Sequence, residues 1–144
     1  MLGSLPGEAS LQAARYYAHP RNQFWRLMEV ATGLALQTLD YDERLGALVE
    51  RRVAVWDVIH AATRTGSLDA AITDVEARDL ATFVGGLPDL RAVAFNGGTA
   101  ARIGRKRLAG SGLALIDLPS SSPANTLPFA EKARRWAALR PFLD

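Results

Sequence analysis

The chain has 144 residues, 49% of them hydrophobic and 22% charged, which are the proportions of one globular domain spanning residues 1–144. No run approaches the roughly 18 apolar residues of a membrane span, and the absence of cysteine excludes disulfides, thiolate-held clusters and thiol nucleophiles. The net charge of +2 is uneven: residues 1–100 carry 9 basic against 12 acidic side chains, and residues 101–144 carry 8 against 3.

In chain order, Gly3-Ser4-Leu5-Pro6-Gly7 has the character of a loop that follows a strand, but only Met1 and Leu2 precede it. The leading strand is therefore expected to be truncated or missing, which would leave the sheet with an exposed edge beside this loop. Helical spacing of apolar residues predicts helices over Leu11–Tyr17, Gln23–Ala31 and Asp42–Val49. Short apolar runs without clean alternation predict buried strands at Val53–Val58, Arg91–Phe95 and Leu113–Leu118. Thr73 with Glu76 reads as a capping box before a helix carrying Ala77, Leu80 and Val84, and Gly85 and Gly86 offer its stop. Phe129, Ala133 and Trp136 recur at helical spacing near the C-terminus, with Leu143 on the same pattern beyond Pro141, where regular helix is expected to end. Strands alternating with helices predict an α/β fold: a three-layer α/β/α domain with a mainly parallel four-stranded sheet.

In such a domain ligands bind where the strands end at their carboxyl edge. The predicted strands feed Asn96-Gly97-Gly98 and Pro119-Ser120-Ser121-Ser122-Pro123-Ala124-Asn125 into that edge. Several ready-made chemistries fail on spacing. Gly98 and Gly104 are followed by arginine at the wrong interval for a phosphate loop, and no GxGxxG or GxSxG segment exists. His19 and His60 are too few and too far apart for a zinc cluster. Two basic clusters, Arg102, Arg105, Lys106 and Arg107 and then Lys132, Arg134, Arg135 and Arg140, have the form of a phosphate-binding surface, but charge alone favours solvated helix faces.

The informative stretch is YYAHPRNQFW at 16–25, where four aromatic residues surround a prolyl turn and the neutral amide of Asn22. Asn22 can be read as a helix N-cap with Phe24 and Trp25 buried behind it, and a capped helix would also fix an asparagine for chemistry. Asn96 can be read as an ordinary turn residue before two glycines, or as an amide at the ligand-binding edge that can both donate and accept.

Together GSLPGEAS at 3–10, YYAHPRNQFW at 16–25 and LPSSSPAN at 118–125, with VAVWDVI and AFNGG between them, resemble the uracil-DNA glycosylase superfamily, and most closely its hypoxanthine-DNA (deoxyinosine) glycosylase branch. The resemblance covers nearly the whole chain. It implies a compact α/β/α domain that flips a deaminated base out of DNA and hydrolyses its N-glycosidic bond without metal or cofactor. By that resemblance Asn22 and Asn96 are the catalytic candidates, Ser4, Tyr17 and Phe24 the base-binding ones, and Ser120, Ser121, Ser122, Pro123 and Asn125 the DNA-binding ones. Ser4 stands where many relatives carry Asp or Asn to activate water, which moves the main catalytic role to Asn22. Leu118 stands where uracil-specific enzymes tend to place a histidine, so hypoxanthine is expected to be removed faster than uracil. The expected partner is DNA containing deaminated bases, met by a cytoplasmic monomer with no membrane association. The rival readings are a uracil or mismatch-uracil glycosylase and a nonenzymatic nucleic-acid or nucleotide binding module.

Overall fold

The structure, a computed structural model, describes residues 1–3, 17, 20–57, 59–63, 74–77 and 80–143. In chain order the strands are β1 (Leu2–Gly3), β2 (Trp56–Asp57), β3 (Ile59–Thr63), β4 (Asp74–Ala77), β5 (Ala92–Asn96) and β6 (Ala114–Leu118). The helices are α1 (Phe24–Thr32), α2 (Tyr41–Glu50), α3 (Leu80–Gly85), α4 (Gly98–Leu108) and α5 (Phe129–Trp136), with short 3-10 segments at Leu36–Thr38 and Ala137–Phe142.

Hydrogen bonding places β2, β1, β5 and β6 side by side in that order, every pairing parallel. The β5–β6 ladder is the long one, in register from Ala92–Ala114 to Asn96–Leu118. Successive residues of β5 serve opposite faces, as the pleat requires. Ala94 joins a core with Phe24, Leu27, Met28, Leu48, Trp136 and Leu139 from α1, α2 and the C-terminal segment. Val93 and Phe95 join a second core with Leu80, Ala100, Ala101 and Leu108 from α3 and α4. A parallel sheet with helices on both faces explains why the strands read as apolar runs rather than as alternation.

Local chemistry sets the helix ends. The Asp40 carboxylate accepts from the Glu43 N–H at 2.8 Å and starts α2. Gly33, at φ 76°, ends α1 by donating its N–H to Glu29 O. In α5 the regular helix ends at Trp136, and Pro141 falls within the following 3-10 segment. Gly104 of α4 lies against β5 so closely that a Cβ there would meet Phe95 Cε1 at 2.2 Å.

Three expectations are corrected. Leu2–Gly3 is short, but it lies between β2 and β5, so this strand is interior to the sheet and does not leave an edge there. The expected strand Val53–Val58 is divided: only Trp56–Asp57 joins the parallel sheet, and Ile59–Thr63 enters an antiparallel hairpin with Asp74–Ala77. Glu76 therefore lies in β4 rather than in a capping box, and the helix starts at Leu80; pairing across the hairpin overrides the local cap signal. Thr73, the other half of that box, and all of the expected Leu11–Tyr17 helix except its last residue lie outside the described residues. Tyr17 itself is in a left-handed turn, φ 55°.

An apolar cavity of about 160 Å³ lies beneath the start of the strands, lined by Met1, Met28, Val93, Ile116, Leu139 and Phe142 among others. It is at the opposite end of β5 and β6 from the asparagine-bearing edge.

Candidate functional site

Strands β5 and β6 end level with each other at Asn96 and Leu118, so the segments that follow them share one edge. Gly97 holds these segments together. At φ 102° it adopts a backbone conformation that favours glycine, its N–H donates to Leu118 O at 3.0 Å, and a Cβ there would come within 3.1 Å of Ser120 Cβ.

Ser121 stands at the centre of the edge. It is 1% exposed, and all of its polar groups are engaged. Its N–H donates to Asn96 Oδ1 at 2.9 Å, and its carbonyl accepts from the Gln23 N–H at 2.9 Å. Its hydroxyl accepts from Asn96 Nδ2 at 2.9 Å and donates to Asn22 Oδ1 at 2.8 Å. Asn22 Oδ1 also accepts from the Phe24 N–H at 3.0 Å. The N-cap reading of Asn22 is thus realised one residue early: Gln23 occupies the formal cap position without a side-chain bond, and Asn22 satisfies the first-turn N–H from behind it. Asn96 is 7% exposed and bonded through both ends of its amide.

The serine loop is held from beneath. Trp136 Nε1 donates to Pro119 O at 2.9 Å. Lys132, 1% exposed, directs its ammonium to Gln23 Oε1 at 2.9 Å, Asn125 O at 2.9 Å and Ser122 O at 3.5 Å. No carboxylate is among these partners, and burial pushes the Lys132 pKa below the ordinary lysine value. Asn125 is occupied within the loop, donating to Ser120 O at 3.2 Å and accepting from the Leu127 N–H at 3.1 Å. Ser120 and Ser122 accept from the Ser122 and Ala124 N–H groups, which leaves their hydroxyl protons available to a ligand. Pro123 and Ala124 are the exposed tip.

Tyr17 and Phe24 form a stack, with centroids 3.9 Å apart and rings 16° from parallel. Phe24 is fully buried, with Trp25 and Trp136 at its edges, so Tyr17 covers it. Ser4 and His19 lie outside the described residues. The site thus brings together Asn22, Asn96, Ser120, Ser121, Ser122 and Asn125, with Tyr17 and Phe24 beside them. In this arrangement Ser121 and Phe24 face inward rather than toward a ligand.

The second basic cluster is engaged with internal partners, and in the first Arg105 is. Arg105 pairs with Asp117 at 2.8 Å and Arg140 donates to Val30 O. Arg134 and Arg135 both bind Glu131, and these two guanidiniums lower its carboxyl pKa to about 2. The sequence offers Lys132 as part of a phosphate-binding or solvated cluster and gives Gln23 no role in the site. The signal for Lys132 was present: with Phe129, Ala133 and Trp136 it completes the i, i+3, i+4, i+7 face of α5 that packs inward. Among the described residues no three of His, Cys, Asp and Glu gather as a metal would need, and no helix is long and apolar enough to cross a membrane.

A neutral, hydrogen-bonded pair of carboxamides with a ring beside it suits recognition of a polar, flat, uncharged group. The comparisons with known proteins agree in kind. The profile of the Uracil DNA glycosylase superfamily matches residues 1–140. A Methanosarcina acetivorans protein named hypoxanthine DNA glycosylase is 38% identical over 139 residues, covering 96% of this chain and 87% of the relative. Its namesake from Methanosarcina barkeri is 36% identical over 137 residues, covering 95% and 86%. A solution NMR structure of a Methanosarcina acetivorans protein provisionally named a uracil DNA glycosylase superposes with a TM-score of 0.86 at 38% identity, covering 98% of this chain and 88% of that one. A profile match over almost all of the sequence and relatives of this identity and coverage make the chain a member of the uracil-DNA glycosylase superfamily.

Proposed function

We propose that the protein is a monofunctional DNA glycosylase that excises hypoxanthine from deoxyinosine in DNA and leaves an abasic site. The observation that carries this reading is the near full-length similarity to two proteins named hypoxanthine DNA glycosylases, within a family the chain belongs to. Full coverage of the sheet edge supports it, because the asparagine turn and the serine loop both fall inside the matched region.

The reaction adds the hydroxyl of water to the sugar C1′ and releases the base with its bonding electrons and a proton. Positive charge grows on the sugar and negative charge on the base, so donors aimed at the base stabilise the transition state more than the ground state. Asn22 is assigned to that task. Its Oδ1 already accepts two hydrogen bonds, which leaves the Nδ2 protons as the part of the amide free to meet a substrate. Asn96, more deeply buried, holds the second amide beside it. Tyr17 is the ring for stacking the flipped base, and Phe24 supports it from behind. Ser120 and Ser122 retain hydroxyl protons for a phosphate, and the exposed Pro123–Ala124 tip is placed to fill the gap left in the duplex. These contacts must offset the few kcal/mol that extruding a nucleotide costs.

Lys132 does not serve as a nucleophile in this scheme, since its ammonium is buried and donates to three oxygens; that favours hydrolysis over a Schiff base. The protein is further proposed to act as a cytoplasmic monomer, a three-layer domain whose parallel sheet has four strands, with no metal or cofactor. Incubation with deoxyinosine- and deoxyuridine-containing duplexes, followed by alkali, tests the activity and its ranking. Faster cleavage at deoxyinosine is expected. Faster cleavage at deoxyuridine would favour the uracil reading, and binding without any alkali-labile product would favour a binding module.

A further inference from the structure

The hydrogen bonds at the edge have a direction, and two backbone groups set it. An N–H can only donate, so the Ser121 N–H fixes the Asn96 atom it meets as Oδ1, and the Phe24 N–H does the same for Asn22. With Asn96 Oδ1 on the backbone side, its Nδ2 must be the atom 2.9 Å from the Ser121 hydroxyl, which accepts. The hydroxyl has one proton, and the remaining neighbour at 2.8 Å is Asn22 Oδ1. The chain therefore runs one way, from the Asn96 amide through the Ser121 hydroxyl to the Asn22 carbonyl.

We infer that Ser121 is a positioning residue: the Phe24 N–H sets which end of the Asn22 amide accepts, and the Ser121 hydroxyl is the second anchor that holds the amide with its Nδ2 toward the substrate. With Oδ1 held by Phe24 N–H and by Ser121, Asn22 can offer only its Nδ2 donors, and a donor already polarised through a chain of hydrogen bonds is a better one. Ser121 is suited to this and not to phosphate. Its own backbone is held by Asn96 and Gln23, it is 1% exposed, and turning its hydroxyl outward would leave the Asn96 amide group without a partner. It also joins three parts of the chain, reaching 99 residues back to Asn22 and 25 back to Asn96.

The inference rests on the proposed glycosylase reading, and its test separates the two. Single-turnover cleavage of a deoxyinosine duplex is measured against enzyme concentration for the wild type, Ser121→Ala, Ser121→Cys and Asn22→Ala, below the melting temperature of each. The maximal rate of Ser121→Ala should fall by about tenfold or more, the scale set by a misoriented catalytic group. The half-saturating concentration and its salt dependence should stay within about twofold, because no phosphate contact is lost. Ser121→Cys, which keeps the size and a weak donor, should recover part of the rate and carries the comparison if the alanine variant does not fold. A wild-type maximal rate in Ser121→Ala, or a loss confined to affinity with a shallower salt dependence, overturns the positioning role. Asn22→Ala reads the parent assignment separately: if it is inactive while Ser121→Ala is not, only the positioning inference fails. A wild-type rate in Asn22→Ala removes the ground for both.

Discussion

Replacing Asn22 by aspartate is the most discriminating change the geometry offers, because it removes the side chain's N–H donors while keeping its shape. Both hydrogen bonds that Oδ1 accepts, from the Phe24 N–H at 3.0 Å and the Ser121 hydroxyl at 2.8 Å, can persist in the variant. What changes is the other end, where two N–H donors, assigned in the proposed mechanism to the departing base, become a charged acceptor. Loss of one preorganised donor to a developing anion costs about 10²- to 10³-fold in rate, or roughly 2.7–4 kcal/mol. A carboxylate beside that anion adds repulsion, so Asn22→Asp should be at least as slow as Asn22→Ala. The alanine variant carries a separate folding cost of about 1–3 kcal/mol from leaving the Ser121 hydroxyl and Phe24 N–H without an acceptor. The aspartate variant avoids that cost and is the cleaner probe. The assay is single-turnover release of hypoxanthine at saturating enzyme, with thermal melting recorded for each variant. If the asparagine's work were instead to accept a proton from water, aspartate would do it as well or better. Retention of more than about a tenth of the wild-type rate in Asn22→Asp, against the expected donor loss, would refute the donor assignment.

Other changes test the scaffold around the site. Gly104→Ala places a Cβ 2.2 Å from Phe95 Cε1, next to Asn96, and should lower the melting temperature by several degrees, as overpacking of about 1–3 kcal/mol does; an unchanged melting curve would contradict the close docking of α4 on β5. Lys132→Met removes the ammonium from Gln23 Oε1, Asn125 O and Ser122 O, so amide exchange across residues 120–127 should quicken. Global stability should change less, because a desolvated charge is also removed. Exchange in that loop equal to wild type would show that the ammonium does not hold it. Glu131, lowered to about 2 by Arg134 and Arg135, contributes stability that is complete above its ordinary value of 4.5 and is lost as pH falls toward about 2. The difference in melting temperature between the wild type and Glu131→Gln should accordingly shrink over that interval, and a constant difference would argue against the pairing.

The parts of the fold set by local pattern were readable in the sequence. Two of the three apolar runs became β5 and β6 within one residue at each end, and the helical stripes became α1, α2 and α5, because burial on one helix face leaves a periodic mark and burial on both sheet faces a continuous apolar run. The parts set by long-range pairing were not. Thr73 with Glu76 carries a helix-start signal, and only the pairing of Asp74–Ala77 with Ile59–Thr63, outside any local window, makes that stretch a strand. The same division holds for the site. Asn22 and Asn96 could be singled out by motif and by their place after a turn or a strand. The role of Ser121 depends on a partner 99 residues away, and one serine among three in a row carries no mark of which will turn inward. Lys132 was within reach of the helical wheel, and its positive charge concealed it.

The account stands or falls on whether the protein cuts a purine from sugar. Purified protein incubated with a duplex containing one deoxyinosine should release free hypoxanthine and leave a strand that breaks at that position only after alkali. A duplex still intact after prolonged incubation, with the protein folded and bound to it, would contradict the account.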